Sequence, residues 1–372
     1  RAMGLKDAAK ALMAQAGVKY TFGREGQDEY GEDLAGVRDK TPKHQFMVKV
    51  KATDDNGNLL PDIQGGADFK GKSGQADKKV QAYNFRLCMT QVKDNMVPFP
   101  KPEKYDPARF ELLARLIEAT IEQTGTTPTV ETLMHPGRIQ AKKTDTNNNG
   151  AYSTDYLGGN WNYPDATYAE RDQIWQDHYE YVAGFLYFLA NDARVPQELR
   201  DEMNSWGLAK DEFPDTNHWP RQLYVREGRR MIGEYVMTQA DIQTSRTKHD
   251  SIGMGSYNSD SHNVQRFMNA EGFAENEGDM QVRVKPYQIP YRIMVPKRDQ
   301  VTNLLCPVTL SATHVTYSTV RMEPQYMLLG QAAGVAAAMA SKEDKDVQDV
   351  DTSALRSRLR DLKAVLELPE YE

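Results

Sequence analysis

Apolar and polar positions along the chain change period several times, and the changes mark out the elements. Residues 80–90, V-Q-A-Y-N-F-R-L-C-M-T, alternate at period two and predict a strand with one buried face. After Asp106-Pro107, the run F-E-L-L-A-R-L-I-E-A-T-I-E carries apolar residues at helical spacing, and a proline just inside the start suits a helix N-terminus. Residues 167–193 repeat that spacing over a longer, aromatic-rich stretch and predict a long amphipathic helix. Further helices are expected after Pro196, over 223–238 (L-Y-V-R-E-G-R-R-M-I-G-E-Y-V-M-T) and over 5–16, with Gly17 as a C-cap. Between 23 and 79, Gly, Asp, Lys and Pro punctuate a mostly loop-like region around a short alternating F-M-V-K-V-K. Beyond Thr244 the text turns to Gly, Ser, Asn and His, and short strands are expected in Q-I-P-Y-R-I-M-V-P and N-L-L-C-P-V-T-L-S-A. A polar loop, S-A-T-H-V-T-Y-S-T-V-R-M, then leads to a helix of small residues, and a closing amphipathic helix is expected over 352–366.

The small-residue helix raises a question of chemistry. Pro324 stands in its first turn, and a strand, polar loop and helix in that order present free backbone N–H groups and a positive dipole end. Gly330, Ala333, Gly334, Ala337 and Ala338 leave one side nearly without bulk, so a flat ligand or a neighbouring backbone can approach. Close packing on a sheet is the alternative, and the polar, Arg-bearing approach favours a ligand.

Composition narrows the classes. The 372 residues suffice for two domains, or for one α/β domain with an insertion. Lys and Arg number 46 against 53 Asp and Glu, a net charge of -7 without a basic block, which argues against a nucleic-acid partner. Two cysteines, Cys88 and Cys306, read as buried thiols, and no apolar run approaches the roughly 18 residues that cross a bilayer. The first residues carry neither an apolar export segment nor a cleavage site.

Few motifs carry chemistry alone. D-T-N-N-N-G-A-Y-S-T-D-Y, from Asp145, begins like a calcium loop, but Tyr156 stands where the bidentate Glu belongs, so a polar turn is expected. None of the 7 histidines has zinc-ligand spacing. His262 and His314 sit in Gly/Ser/Asn/Thr-rich loops, where acid–base residues concentrate, with a structural hydrogen bond as the alternative for each. The Trp175 to Phe188 aromatic series reads as core. No nucleophile elbow or P-loop lysine supports a hydrolase or an NTPase.

Taken together, Y-Q-I-P-Y-R-I-M-V-P-K, N-L-L-C-P-V-T-L-S-A-T-H-V-T-Y-S-T-V-R-M-E-P-Q-Y-M-L-L-G-Q-A-A-G, D-K-K-V-Q-A-Y-N-F-R-L-C-M-T and G-S-Y-N-S-D-S-H-N-V-Q-R resemble a bacterial family of FAD-dependent oxidoreductases, some members of which carry the name xanthan lyase. The likeness runs along nearly the whole chain. It implies an α/β (α+β) fold: an incomplete FAD/NAD(P)-binding Rossmann-like domain of the glutathione-reductase type with a large, mixed, helix-rich substrate domain. The implied division is 1–22 as residual FAD-domain segment, 23–285 as inserted substrate domain, 286–342 as the return to the FAD domain and 343–372 as C-terminal helix. Ser318, Thr319, Val320, Arg321, Met322, Glu323 and Gln325 become flavin neighbours, and His262, His314, Tyr257 and Arg292 line the substrate side. The implied reaction moves a hydride between a small polar, carbohydrate-like substrate and the flavin of FAD. The family's G-x-G-x-x-G unit has no counterpart here, so either a missing segment, on the order of 150 or more residues, or a separate chain is expected to supply the dinucleotide grip, or the lineage has lost the cofactor. A non-redox carbohydrate-binding or structural module is the alternative, and a polysaccharide lyase the third reading.

Overall fold

A computed structural model describes residues 11–244 and 246–368. The architecture is α+β: helices packed on small sheets of two or three strands, paired antiparallel among the described residues, with a parallel bridge between Met237 and Ala312.

The larger core gathers around two helices, α1 (Glu111–Thr124) and α2 (Tyr168–Asn191). Asp106 and Pro107 do start a helical segment, because the Asp106 carboxylate accepts from the Ala108 N–H, but the first turn is 3-10 and α1 proper begins at Glu111. Thr167 and Glu170 cap α2 reciprocally. Its first half is amphipathic as expected. From Tyr181 to Ala190 it is buried almost all round, and at Gly184 a Cβ would lie 2.7 Å from the Phe110 ring, so only glycine admits that approach. Residues 80–90 are extended but buried on both faces, running through the core rather than along its edge. The calcium-like stretch is strand from Asp145 to Asn148 and turns only beyond it, with Gly150 at φ +78°. β1 (Met134–Arg138) and β2 (Thr144–Asn148) form a hairpin that includes Asp145.

The second core is built by later residues, with β3 (Ser251–Gly255) paired to β8 (Tyr287–Pro290) and helices α3 (His314–Val320), α4 (Glu323–Glu343) and α5 (Thr352–Asp361) around them. Outside it, β4 (Ser259–Ser261) pairs with β7 (Met280–Val282), and β5 (Gln265–Met268) pairs with β6 (Ala274–Glu277) against the larger core.

Several expectations need correction. Residues 223–238 are not a helix. They run extended, the Tyr224 N–H donating to the Asn84 carbonyl and the Met231 N–H to that of Thr309, because Arg226, Glu227 and Arg230 are buried in ion pairs that a surface helix would place in water. Residues 303–310 form no strand; Pro307 lacks a donor, and single bonds from Cys306 to Met294 and from Ser311 to Ile293 replace a ladder. The expected loop before the small-residue helix is itself mostly helix, α3, capped by the Thr313 side chain on the Thr316 N–H. Its Thr- and Val-rich text has poor helix propensity, and complete burial overrides that. The helix predicted over 5–16 is seen only from residue 11, ending before Gly17 at φ +75°; its start and the first part of the 1–22 segment lie outside the described residues.

Candidate functional site

Pro324 determines where the site opens. With no N–H to offer the Val320 carbonyl, it ends α3, and the chain turns extended at Met322 before α4 begins. The break sets the N-terminus of a 21-residue helix beside a cleft of about 310 Å³. One wall of this cleft is Arg321, Met322 and Glu323; the other walls come from the Tyr257–His262 segment and from Arg86, Asp145, Asn147, Tyr224 and Arg226.

His262 is the cleft's acid–base candidate. Its Nδ1 lies 2.6 Å from Asp155 Oδ2, and Asp155 Oδ1 lies 3.2 Å from Arg226 Nη2, all three side chains being buried. Burial alone would raise the Asp155 carboxyl, but the charges of Arg226 and His262 outweigh it and hold it at about 2. Burial, helped by Arg226, pushes the His262 imidazole below its usual 6.5 against the pull of Asp155. At neutral pH the pair is a carboxylate beside a neutral imidazole. Since a carboxylate only accepts, Nδ1 carries the hydrogen and Nε2 keeps a lone pair.

Around this pair the polar contacts interlock. Tyr257 donates to Asp260 Oδ2 at 3.1 Å, and Arg321 Nη2 donates to the Asp260 carbonyl at 2.8 Å. Arg86 grips Asp145 with two bonds of 2.8 and 2.6 Å. Two guanidiniums lie over the Tyr224 ring, Arg86 at 5.2 Å and Arg226 at 5.3 Å, and its hydroxyl reaches Glu323 at 3.2 Å. Two buried atoms at the α4 entrance have no hydrogen-bond partner, Arg321 Nε and Gln325 Oε1.

Of the residues singled out in the sequence, Tyr257, His262, Arg321, Met322 and Glu323 thus meet around one cleft. Gln325 is buried in the first turn of α4. Ser318, Thr319 and Val320 lie behind the wall in α3, where Ser318 donates to the Val315 carbonyl and Thr319 ties the helix to the Tyr257 carbonyl and the Tyr287 hydroxyl. Two residues stand apart. His314 is inside a buried ionic network, its Nδ1 2.8 Å from Glu227 Oε2 and its N–H donating to Glu25, with Arg230 paired to both carboxylates. Arg292 sits 3.3 Å from Asp250 and over the Tyr235 ring. One side chain links the two histidine regions: Gln81 accepts from the His262 N–H and donates to Glu227, both at 3.1 Å.

Asp155, Arg226, Asp260, Arg86 and Tyr224 carry much of this geometry and were not singled out from the sequence. Asp260 stands two residues before His262 in the same polar loop, a signal that was available; Arg226 was hidden in a segment that read as helix. Among the described residues, no group of three or more His, Cys, Asp or Glu is arranged to hold a metal.

A family model described as FAD dependent oxidoreductase matches residues 8–359. No curated protein and no solved structure gives a significant match.

Proposed function

The chain belongs to the FAD-dependent oxidoreductases, and from that premise we propose that the cleft at the mouth of α4 is where a flavin ring meets a small polar, polyol-like substrate. One observation carries the reading: residues expected beside flavin (Arg321, Met322, Glu323) and residues expected beside substrate (Tyr257, His262) wall the same cleft. The site also suits the ring chemically. A flavin's pyrimidine edge offers acceptors and an N–H donor, and the α4 entrance holds a buried unpartnered donor, Arg321 Nε, and a buried unpartnered acceptor, Gln325 Oε1. The positive end of α4 favours the charge such a ring gathers on reduction. The Rossmann-like unit for the dinucleotide end, expected from the family, belongs to the same proposal.

Bound FAD supplies an acceptor for a hydride at its N5. The protein's share is the proton. His262, neutral with Nε2 free, takes the hydroxyl proton of the substrate carbon that loses the hydride, so an alcohol leaves as a carbonyl and the imidazole becomes cationic. Asp155 stays ionised and stabilises that cation. Arg226 holds Asp155 in place, and Tyr257 and Arg321 fix Asp260 beside them.

Reconstitution with FAD tests the reading. A perturbed visible spectrum and quenched flavin fluorescence, bleached by polyols in wild type and far more slowly in His262→Gln, are the expected results. Persistent failure to retain flavin, or oligosaccharide binding without any flavin reduction, would replace it with the binding-module reading.

A further inference from the structure

His44 lies beside the His262–Asp155 pair without being one of the cleft's walls, and three of its features each work against stability. Its backbone sits in the left-handed region at φ +47°, where a side chain crowds the main chain. Its half-buried ring leaves Nδ1 shut away from water without a hydrogen-bond partner. Burial first, then repulsion from a charged His262, hold its imidazole at about 4 against the pull of Asp155 and Asp260, and Lys43 adds to the depression. A glycine would relieve the first feature and a leucine the other two, so an imidazole at this position calls for a reason outside packing.

The surroundings clamp the strained residue in one place. Asn263, which follows His262, donates its side-chain amide to the His44 carbonyl at 2.9 Å, and Asn276 donates to the same carbonyl at 2.8 Å. The Gln45 side chain joins them, accepting from the Asn276 N–H at 2.9 Å and donating to the Asn276 carbonyl at 2.7 Å. The Asn276 side chain is fixed in turn by Arg266 Nε and the Ala151 carbonyl. What the clamp presents is a flat ring: the His44 imidazole lies 12° from parallel with that of His262, centroids 6.4 Å apart, an offset stack. The bond from Nδ1 to Asp155 fixes one point of the His262 ring and leaves its tilt free, and a flat neighbour on one side restricts that tilt. Because His44 stays neutral at working pH, it does this without setting a second positive charge beside His262 when that ring takes a proton.

We propose that His44 is a positioning residue for His262, its ring holding the catalytic imidazole in the plane that joins Nδ1 to Asp155 and leaves Nε2 for the cleft. This rests on the reading of His262 as the site's base. Asp155, Asp260, Arg226 and Lys43 are the charged groups that bear on the two rings.

Proton NMR of the purified protein tests this without flavin. The His262 Nδ1–H, assigned by its absence in His262→Gln, should give a resonance downfield of the amides in wild type, as protons bonded to a carboxylate do. In His44→Gly, whose backbone suits φ +47°, the resonance should be lost to exchange with water while the urea midpoint stays level or rises. His44→Phe returns a flat ring with no titrating nitrogen and should restore the resonance; Phe213 already holds φ +47° in this chain. In flavin-loaded protein, His44→Gly should lower kcat and leave KM for the polyol unchanged. No downfield resonance in wild type, its survival in His44→Gly, a urea midpoint that falls in that variant, or no restoration in folded His44→Phe would overturn the proposal. Wild type against His44→Gly decides where His44→Phe does not fold. A protein whose resonance behaves as expected yet never binds FAD sinks the redox reading alone, and one that reduces flavin with polyols while His44→Gly keeps both resonance and kcat sinks this inference alone.

Discussion

Replacing Asp155 by asparagine keeps the shape at the centre of the cleft and removes its charge. The carboxyl is 2% exposed, 2.6 Å from His262 Nδ1 and 3.2 Å from Arg226 Nη2. Its depression from 3.8 to about 2 corresponds to on the order of 2 kcal/mol of native stability at neutral pH. Leaving the buried Arg226 charge without its counter-ion adds to that, so a loss of about 2–4 kcal/mol is expected at pH 7. The sign of the pH dependence follows from the depression. The native state holds this proton more weakly than the unfolded chain, so the contribution is complete above pH ~4 and fades as the pH falls towards ~2. Urea unfolding of wild type and Asp155→Asn, followed by tryptophan fluorescence, should give a gap that is constant from pH ~8 to ~5 and closes below pH ~4. In the same variant, loss of the carboxylate removes what raises the His262 imidazole, so its NMR titration should move further below 6.5. A gap under about 0.5 kcal/mol, or one undiminished at pH ~3, would refute the reasoning.

Asp279 is expected to behave in the opposite sense: burial raises its carboxyl to about 7, so the native state holds the proton more tightly and wild-type stability should fall as pH rises from ~4 to ~7. Asp279→Asn should therefore gain on wild type by on the order of 4 kcal/mol at pH ~8 and little at pH ~4, read by urea unfolding. A Cβ at Gly334 would meet nothing within 4 Å, so Gly334→Ala should stabilise by about 0.5–1 kcal/mol, and destabilisation in thermal melts would show that this side of α4 is covered. Phe185 is fully buried in the larger core, and Phe185→Ala should cost about 3–5 kcal/mol in urea unfolding.

What the sequence made legible was local. Caps, prolines and helical spacing located α1, α2 and α4 to within a few residues, because those signals act inside one element. The small-residue helix was recognised, but its orientation was not. Leu329, Ala332, Ala333, Ala336 and Ala340 are buried, while Gly330, Gly334, Ala337 and Ala338 face outward. Small residues give a helix no hydrophobic stripe, so spacing could not tell the two sides apart. Residues 223–238 misled for a different reason. Their helical periodicity came from charged residues, and only the partners Glu25, Asp155 and His314, far away in sequence, explain why Arg226, Glu227 and Arg230 are buried. The same holds for the site: the polar loop of Tyr257 and His262 was visible, whereas the 107 positions between Asp155 and His262 hid their pairing.

The proposed function requires a flavin ring at the mouth of α4, between Met322 and the Tyr257–His262 loop. Photolabelling with an azido-substituted FAD, followed by peptide mapping, tests it without requiring turnover. Adducts confined to peptides containing residues 257–262 and 318–325, and suppressed by excess FAD, are the result expected. Adducts around His314, Glu227 and Arg230 or on the outward face of α4, or labelling that excess FAD leaves unchanged, would contradict it.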